Sequence, residues 1–193
     1  MPRIQVGLHD SQRPAAARLY WDAFSDKLGR IMGPERKALR FVERVIDPTH
    51  VIAAVDATGL VLGVVGFRDR QGSFVGGIQS DLNAVYGRVG GYWRGRCFSF
   101  LARDLTPWTL DVDGLAVHPE HRGEGIGTAL IEALCAEATV HGYRELRLEV
   151  VTRNARARAL YERRGFVVER AVKSRLTALA FAFDTALVMV RRL

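Results

Sequence analysis

The succession of strand-like and helix-like segments predicts an α/β protein of the α+β type, with helices flanking a central sheet. Three observations carry this reading. Runs of β-branched residues bounded by turn compositions recur along the chain, amphipathic helical segments stand between them, and a glycine-rich turn near residue 123 joins one strand directly to a helix. With 193 residues, 48% hydrophobic and 25% charged, the chain is long enough for one sizeable core and short for two, so a single domain over residues 1–193 is expected.

The elements follow in order. Arg3, Ile4, Gln5, Val6, Gly7 and Leu8 alternate polar and apolar as a half-buried strand does, and His9-Asp10-Ser11 offers capping residues for a helix. Helical texture runs over residues 13–32 and is interrupted by Gly33-Pro34. It resumes over 35–46, with Leu39, Val42 and Ile46 on one stripe. Residues 50–55 and 60–67 are β-branched runs on either side of Asp56-Ala57-Thr58-Gly59, which predicts a hairpin. Residues 71–107 mix seven glycines with aromatics and arginines and read as a loop followed by a broken helix over about 80–104. A strand over 109–117, a helix over 125–141, a strand over 145–151, a helix over 154–163 and strands over 166–172 and 184–192 complete the chain.

A net charge of +7 and a pI near 10 point to an anionic partner, either a nucleic acid or a polyphosphate cofactor, the latter needing far fewer positive groups. Much of the arginine also lies on helix faces that read as solvated surface. Cys97 and Cys135 form no C-x-x-C pair, which argues against a metal site or a disulfide framework and fits a reducing cytoplasm. The N-terminus lacks an apolar targeting core, and the longest apolar stretch, residues 176–190, is broken by Asp184 and Thr185, so neither secretion nor a membrane span is expected.

The strongest local signal is the strand end Leu115-Ala116-Val117-His118-Pro119 running through Arg122-Gly123-Glu124-Gly125-Ile126-Gly127-Thr128 into a helix. Such a turn presents successive backbone N–H groups at a helix N-terminus, where a pyrophosphate is favoured by hydrogen bonds and by the helix dipole. The helix carries Ile126, Leu130, Leu134 and Ala138 on one face, so a sheet can anchor it. Neither the G-x-x-x-x-G-K-[ST] spacing nor a Rossmann G-x-G-x-x-G is present.

Arg122-Gly123-Glu124-Gly125-Ile126-Gly127 resembles the R/Q-x-x-G-x-G/A signature of the GNAT superfamily of acyl-CoA-dependent N-acetyltransferases. Residues 154–166, with Asn154, Ala157, Leu160, Tyr161, Gly165 and Phe166, are similar to that family's second motif, N-x-x-A-x-x-L-Y-x-x-x-G-F. The two motifs and their surroundings span roughly residues 109–172. The resemblance implies a GNAT-like domain whose mixed, mostly antiparallel sheet has about six to seven strands, with a helical insertion between the third and fourth. It implies acetyl-CoA or another short acyl-CoA as co-substrate, and an amine acceptor that is a small molecule or a protein. The edge at Leu115, Ala116 and Val117 would hold the pantetheine arm and polarise the thioester. The amides of Arg122, Gly123, Glu124, Gly125, Ile126, Gly127 and Thr128 would take the pyrophosphate, Asn154 would touch the pantetheine, and Tyr161 would lie near the sulfur. Seven residues separate Asn154 from Tyr161, about two helical turns or ~10 Å, so one helix face can reach both parts.

The chemistry assigns roles. A phenol with a pKa of ~10 stays protonated at neutral pH and can give its proton to a departing thiolate, which is the role read for Tyr161; the alternative is an aromatic packed beside Leu160. Asp113 and Glu149 are the candidate bases, the alternative for each being a salt-bridged strand residue. Asp111 and Asp113, two apart, share a strand face and could form a carboxylate patch for a cationic acceptor. His118 and His121 flank the turn and suit phosphate or loop contacts, while Cys135 suits the core. Residues 71–107 could act as a lid, a homodimer contact or an arginine-aromatic nucleic-acid surface, or could simply pack on the domain. Residues 173–183 could join an interface too. A binding-only domain and a nucleic-acid module remain as alternatives. The candidate acid and bases weigh against the first, and the lack of a recognition motif weighs against the second.

Overall fold

The computed structural model describes residues 2–99, 105–173 and 185–193. In chain order the elements are β1 (Arg3–Val6), α1 (Arg13–Met32), α2 (Glu35–Val45), β2 (Val51–Val55), β3 (Val61–Arg68) and α3 (Gln79–Ser99). They continue with β4 (Thr109–Val117), α4 (Ile126–Val140), β5 (Glu145–Val151), α5 (Ala155–Arg163), β6 (Val167–Lys173) and β7 (Thr185–Arg192). The seven strands form one sheet in the order β1-β2-β3-β4-β5-β7-β6. Every neighbouring pair is antiparallel except β4 with β5. The expected mixed sheet flanked by helices therefore forms, and the segment between β3 and β4 contains the helix α3.

Burial explains the layering. All five residues of β2 are buried, as an unbroken apolar run requires when helices cover both faces of a sheet. On one face Ala17, Trp21, Met32, Phe41 and Val64 build a core under α1, α2 and α3. On the other, α4 sets Ile126, Leu130, Leu134 and Ala138 against Ile52, Leu146 and Met189. This is the helix face that the periodicity of the sequence selects. Helix α1 and strands β4 and β5 have the bounds that the sequence predicts, and the other elements differ by one or two residues at their ends. Residues 100–104 of the expected broken helix and residues 174–184, most of the expected connection before the last strand, lie outside the described residues. Among the described residues no helix is long and apolar enough to cross a membrane.

The break in the inserted helix has a local cause. Gly87 adopts φ 74° and ψ 167°, a left-handed φ that disfavours any residue with a β-carbon, and α3 reverses there. A β-carbon on Gly91 would stand 2.8 Å from the Asn83 nitrogen and 2.9 Å from its Cα, although eight residues along a straight helix span ~12 Å. Residues 79–86 and 88–99 are thus the two arms of a helical hairpin, in close contact at Gly91 and at Gly95. The hairpin is fixed to the C-terminal end of α1, where the last helical carbonyls have no partner within the helix. The Tyr86 hydroxyl donates to the Met32 carbonyl at 2.6 Å, and Arg94 donates to the carbonyls of Ile31 at 2.7 Å and Gly33 at 3.1 Å. The Arg94 guanidinium also lies 4.0 Å from the centre of the Tyr86 ring. Burial pushes the Tyr86 phenol up to about 12, so it remains a donor.

Gly91→Ala is expected to lower stability by about 1–3 kcal/mol, because backbone must move to admit the methyl group. Gly29→Ala, in the interior of α1 with nothing within 4 Å of the added carbon, is expected to raise it by about 0.5–1 kcal/mol. Urea unfolding midpoints of the two variants should shift in opposite directions.

Candidate active site

Strands β4 and β5 pair over only three positions, Thr109 with Glu145, Leu110 with Leu146 and Asp111 with Arg147. The last pair is also an ion pair. Arg147 donates to both carboxylate oxygens of Asp111, Nε at 2.7 Å and Nη2 at 3.0 Å, and the side chains are only 16% and 3% exposed. The hydrogen bonds that Arg147 donates to Asp111 raise its pKa above the ordinary value. Beyond this point β4 continues beside β3 as far as Val117, and β5 beside β7 as far as Val151. The strands part, and among the described residues the β5-facing backbone edge of residues 112–117 has no strand partner. A cleft of about 1220 Å³ passes through the opening.

A bulge re-aims the β4 side of the opening. Phe67 pairs with Val112 and Gly66 with Gly114, which leaves Asp113 as the extra residue. Leu110 and Val112 before the bulge, and Leu115 and Val117 after it, join the α4 core, while Ala116 joins the α1 side. Asp111 and Asp113 both line the cleft. Each already has a cation, because Asp113 accepts from Arg68 Nη2 at 2.8 Å, and its second oxygen accepts from the Val75 N–H at 3.2 Å. The carboxylate patch expected from their two-residue spacing is charge-compensated, and Asp113 anchors the segment leading into α3.

The glycine-rich turn ends at Gly125, which has φ 84° and serves as the N-cap of α4. Among the described residues no side chain caps this helix and its first N–H groups find no acceptor; Gly125, Ile126, Gly127 and Thr128 line the cleft. Arg122 and Gly123 line it too, and Arg122 Nε donates to the Val117 carbonyl at 3.1 Å, tying the turn to the end of β4. Glu124 accepts from the His121 ring at 3.2 Å; both lie on the turn, with His121 on the cleft wall. His118 stands beside His121 with ring centres 5.8 Å apart, and Cys135 is buried in the α4 core.

Across the opening, Asn154 is the N-cap of α5. Its side-chain oxygen accepts from the Ala157 N–H at 3.1 Å, which leaves the carboxamide NH2 for the cleft. Two turns on, Tyr161 is 7% exposed, lines the cleft and has its ring centre 5.7 Å from that of Phe166. It is at once a packed aromatic and a cleft residue. Its hydroxyl has no hydrogen-bond partner among the described residues, and burial pushes its pKa up to about 12. Glu149 reaches the cleft from β5, on the face opposite the buried Leu146, Leu148 and Val150. Among the described residues no cluster of three metal-ligating side chains occurs.

The sequence model of the acetyltransferase (GNAT) family matches residues 13–166. The chain belongs to that family. Solved structures similar to this GNAT-family chain include a GCN5-related N-acetyltransferase from Kribbella flavida, 20% identical with a TM-score of 0.67, covering 100% of this chain and 98% of the other. An N-acetyltransferase from Staphylococcus aureus Mu50 is 14% identical with a TM-score of 0.67, at 97% and 99% coverage. The ribosomal-protein-S18-alanine N-acetyltransferase from Escherichia coli is 17% identical with a TM-score of 0.58, at 100% and 94% coverage. At these identities the likeness establishes the fold. No curated protein matches the sequence.

In this GNAT chain the second motif and the turn thus face one another across the opening, with Arg153, Arg156 and Arg163 also on the wall. What the motifs do not reveal is the other end of the cleft. Tyr20, Phe24, Leu28 and Met32, every fourth residue of α1, line it together with residues of α2 and α3. That spacing is legible as a helical stripe, although nothing in it separates a cleft wall from core. Burial and the nearby Asp113 charge push the Tyr20 phenol up.

Arg147→Met leaves Asp111 as an uncompensated buried charge at the point where the strands part. A loss of about 3–5 kcal/mol in unfolding free energy is expected. Removing both charges in Asp111→Leu with Arg147→Met should restore a large part of it, as urea titration of the single and double variants would show.

Proposed function

We propose that this GNAT-family protein transfers an acetyl group from acetyl-CoA to a primary amine by direct attack within a ternary complex. The observation that carries the reading is the β4–β5 opening itself, an unpaired strand edge flanked by an uncapped helix N-terminus and by a buried phenol. The residues suit a CoA thioester. The amides at Gly125, Ile126, Gly127 and Thr128 offer donors for a pyrophosphate, with Arg122 beside them and Arg153 and Arg156 lining the cleft across the opening to balance its charge. The edge at Leu115, Ala116 and Val117 offers backbone partners for the pantetheine amides, and the Asn154 carboxamide NH2 a further donor. Acetyl-CoA supplies the activated acyl group.

The chain's own residues would then act as follows. Backbone N–H groups of the open β4 edge stabilise the negative charge that grows on the carbonyl oxygen. A new C–N bond forms as the C–S bond breaks, and Tyr161 gives its proton to the departing thiolate. Its raised pKa keeps it protonated at neutral pH and lets it recover the proton from solvent. The proton lost by the amine passes to a carboxylate on the cleft wall, Glu149 or Asp113, directly or through water. The free cysteines Cys97 and Cys135 suit a reducing, cytoplasmic setting.

Tyr161→Phe should lower kcat about 10²-fold or more while leaving acetyl-CoA affinity within a few-fold, in line with the usual contribution of a positioned acid. Calorimetric titration with acetyl-CoA, with adenosine diphosphate as a control, should give one site per chain in both proteins. Absence of binding would overturn the reading. Binding by a wild-type protein that turns over no amine would leave a ligand-binding domain instead. In wild type the rate should rise with pH as the amine loses its proton. It should show no alkaline fall from Tyr161 until pH nears that phenol's pKa of about 12.

A further inference from the structure

The cleft does not end at the β4–β5 opening. It runs on beneath α3 into a recess walled by Phe24, Leu28 and Met32 of α1, Phe41 of α2, and Leu82 and Phe98 from the two arms of the hairpin. These walls are apolar. The charged side chains Asp22, Asp26 and Lys27 reach the same cleft from α1, with Asp22 paired to Arg18 at 3.6 Å. The recess owes its far wall to a segment inserted between β3 and β4. That wall is held in place, because Tyr86 and Arg94 bind the hairpin to the carbonyls that end α1. A preformed apolar pocket with charged groups near its mouth binds amphiphilic ligands, the apolar part inside and the polar part at the opening.

We propose that the acceptor is a primary amine with an apolar alkyl or aryl body, which fills this recess while its nitrogen lies at the β4–β5 opening. This rests on the reading of the protein as an N-acyltransferase. With the donor's phosphates at the turn before α4, the recess lies at the other end of the cleft, where only the acceptor remains to be placed. A polyamine or a sugar amine would bring polar groups against apolar walls and leave them without partners.

The test uses the full chain with saturating acetyl-CoA and linear amines from ethylamine to octylamine, alongside phenethylamine, ethanolamine and spermidine. Release of CoA gives kcat/KM, and thermal stabilisation by the same amines in the presence of CoA gives binding independently of turnover. Each buried methylene should raise kcat/KM about fourfold until the recess is full. Leu82→Trp, which fills the recess, should flatten that slope, and the wild-type series stands by itself if this variant does not fold. A series without slope, or preference for ethanolamine or spermidine, would overturn the proposal. So would a gain that follows acyl length in butyryl-CoA and hexanoyl-CoA, which would give the recess to the donor. Length-dependent stabilisation without CoA release would keep the recess and overturn the transferase reading. Release without length dependence would do the reverse, and neither response would overturn both.

Discussion

A sheet whose two halves touch over three residue pairs needs something stronger than backbone hydrogen bonds at the last of them, and here it is the fork of Arg147 on Asp111. The pair is nearly removed from water, so it is expensive to break from one side, and it sits at the last paired position, from which β4 and β5 diverge at an angle that opens the cleft. Every element of the candidate site hangs from that angle. The open backbone edge exists because β5 has turned away from β4. The α4 N-terminus and α5 face one another because each follows a different arm of the opening. The bulge at Asp113 then turns the end of β4, so that Leu115 and Val117 lie against α4.

The arginine content takes on a different meaning in this light. Arg147, Arg68 and Arg94 are engaged by a buried carboxylate, a bulge carboxylate and helix-end carbonyls respectively, and Arg191 binds both oxygens of Glu132 at 3.1 and 3.2 Å. These are architectural uses of a planar fork with several donors, which a lysine could not fill. At the turn and at α5 the cleft is lined by Arg122, Arg153, Arg156 and Arg163. That set suits a nucleotide-bearing cofactor. The arginine-aromatic composition of the insertion likewise resolves in part into packing, with Arg94 stacked between Tyr86 and Trp93 at 4.0 and 4.4 Å.

The fold was legible wherever a segment's pattern answered to one partner. The α4 stripe is set by a single sheet face, β2 by burial on both sides, and the turn before α4 by backbone shape at Gly125, so periodicity and glycine placement are enough. The insertion was less legible because its reversal depends on contact between residues far apart along a helix. Gly87, Gly91 and Gly95 stand four apart, a spacing that allows two helical arms to meet, but the same spacing is compatible with an interrupted helix that goes straight on. Asp111 and Asp113 show the same limit. Their shared strand face was readable, while their partners sit 36 and 45 residues away on other strands.

By itself the sequence determined the order and type of the elements, the helix face beneath the sheet and the two motifs that mark the family, because each depends on neighbours within a few turns of chain. Only the tertiary structure decided how those motifs are used. It set where β4 and β5 separate, which carboxylates are neutralised, how deeply Tyr161 is buried and what closes the far end of the cleft. These depend on distances between residues remote in sequence, and on the dielectric that their packing creates.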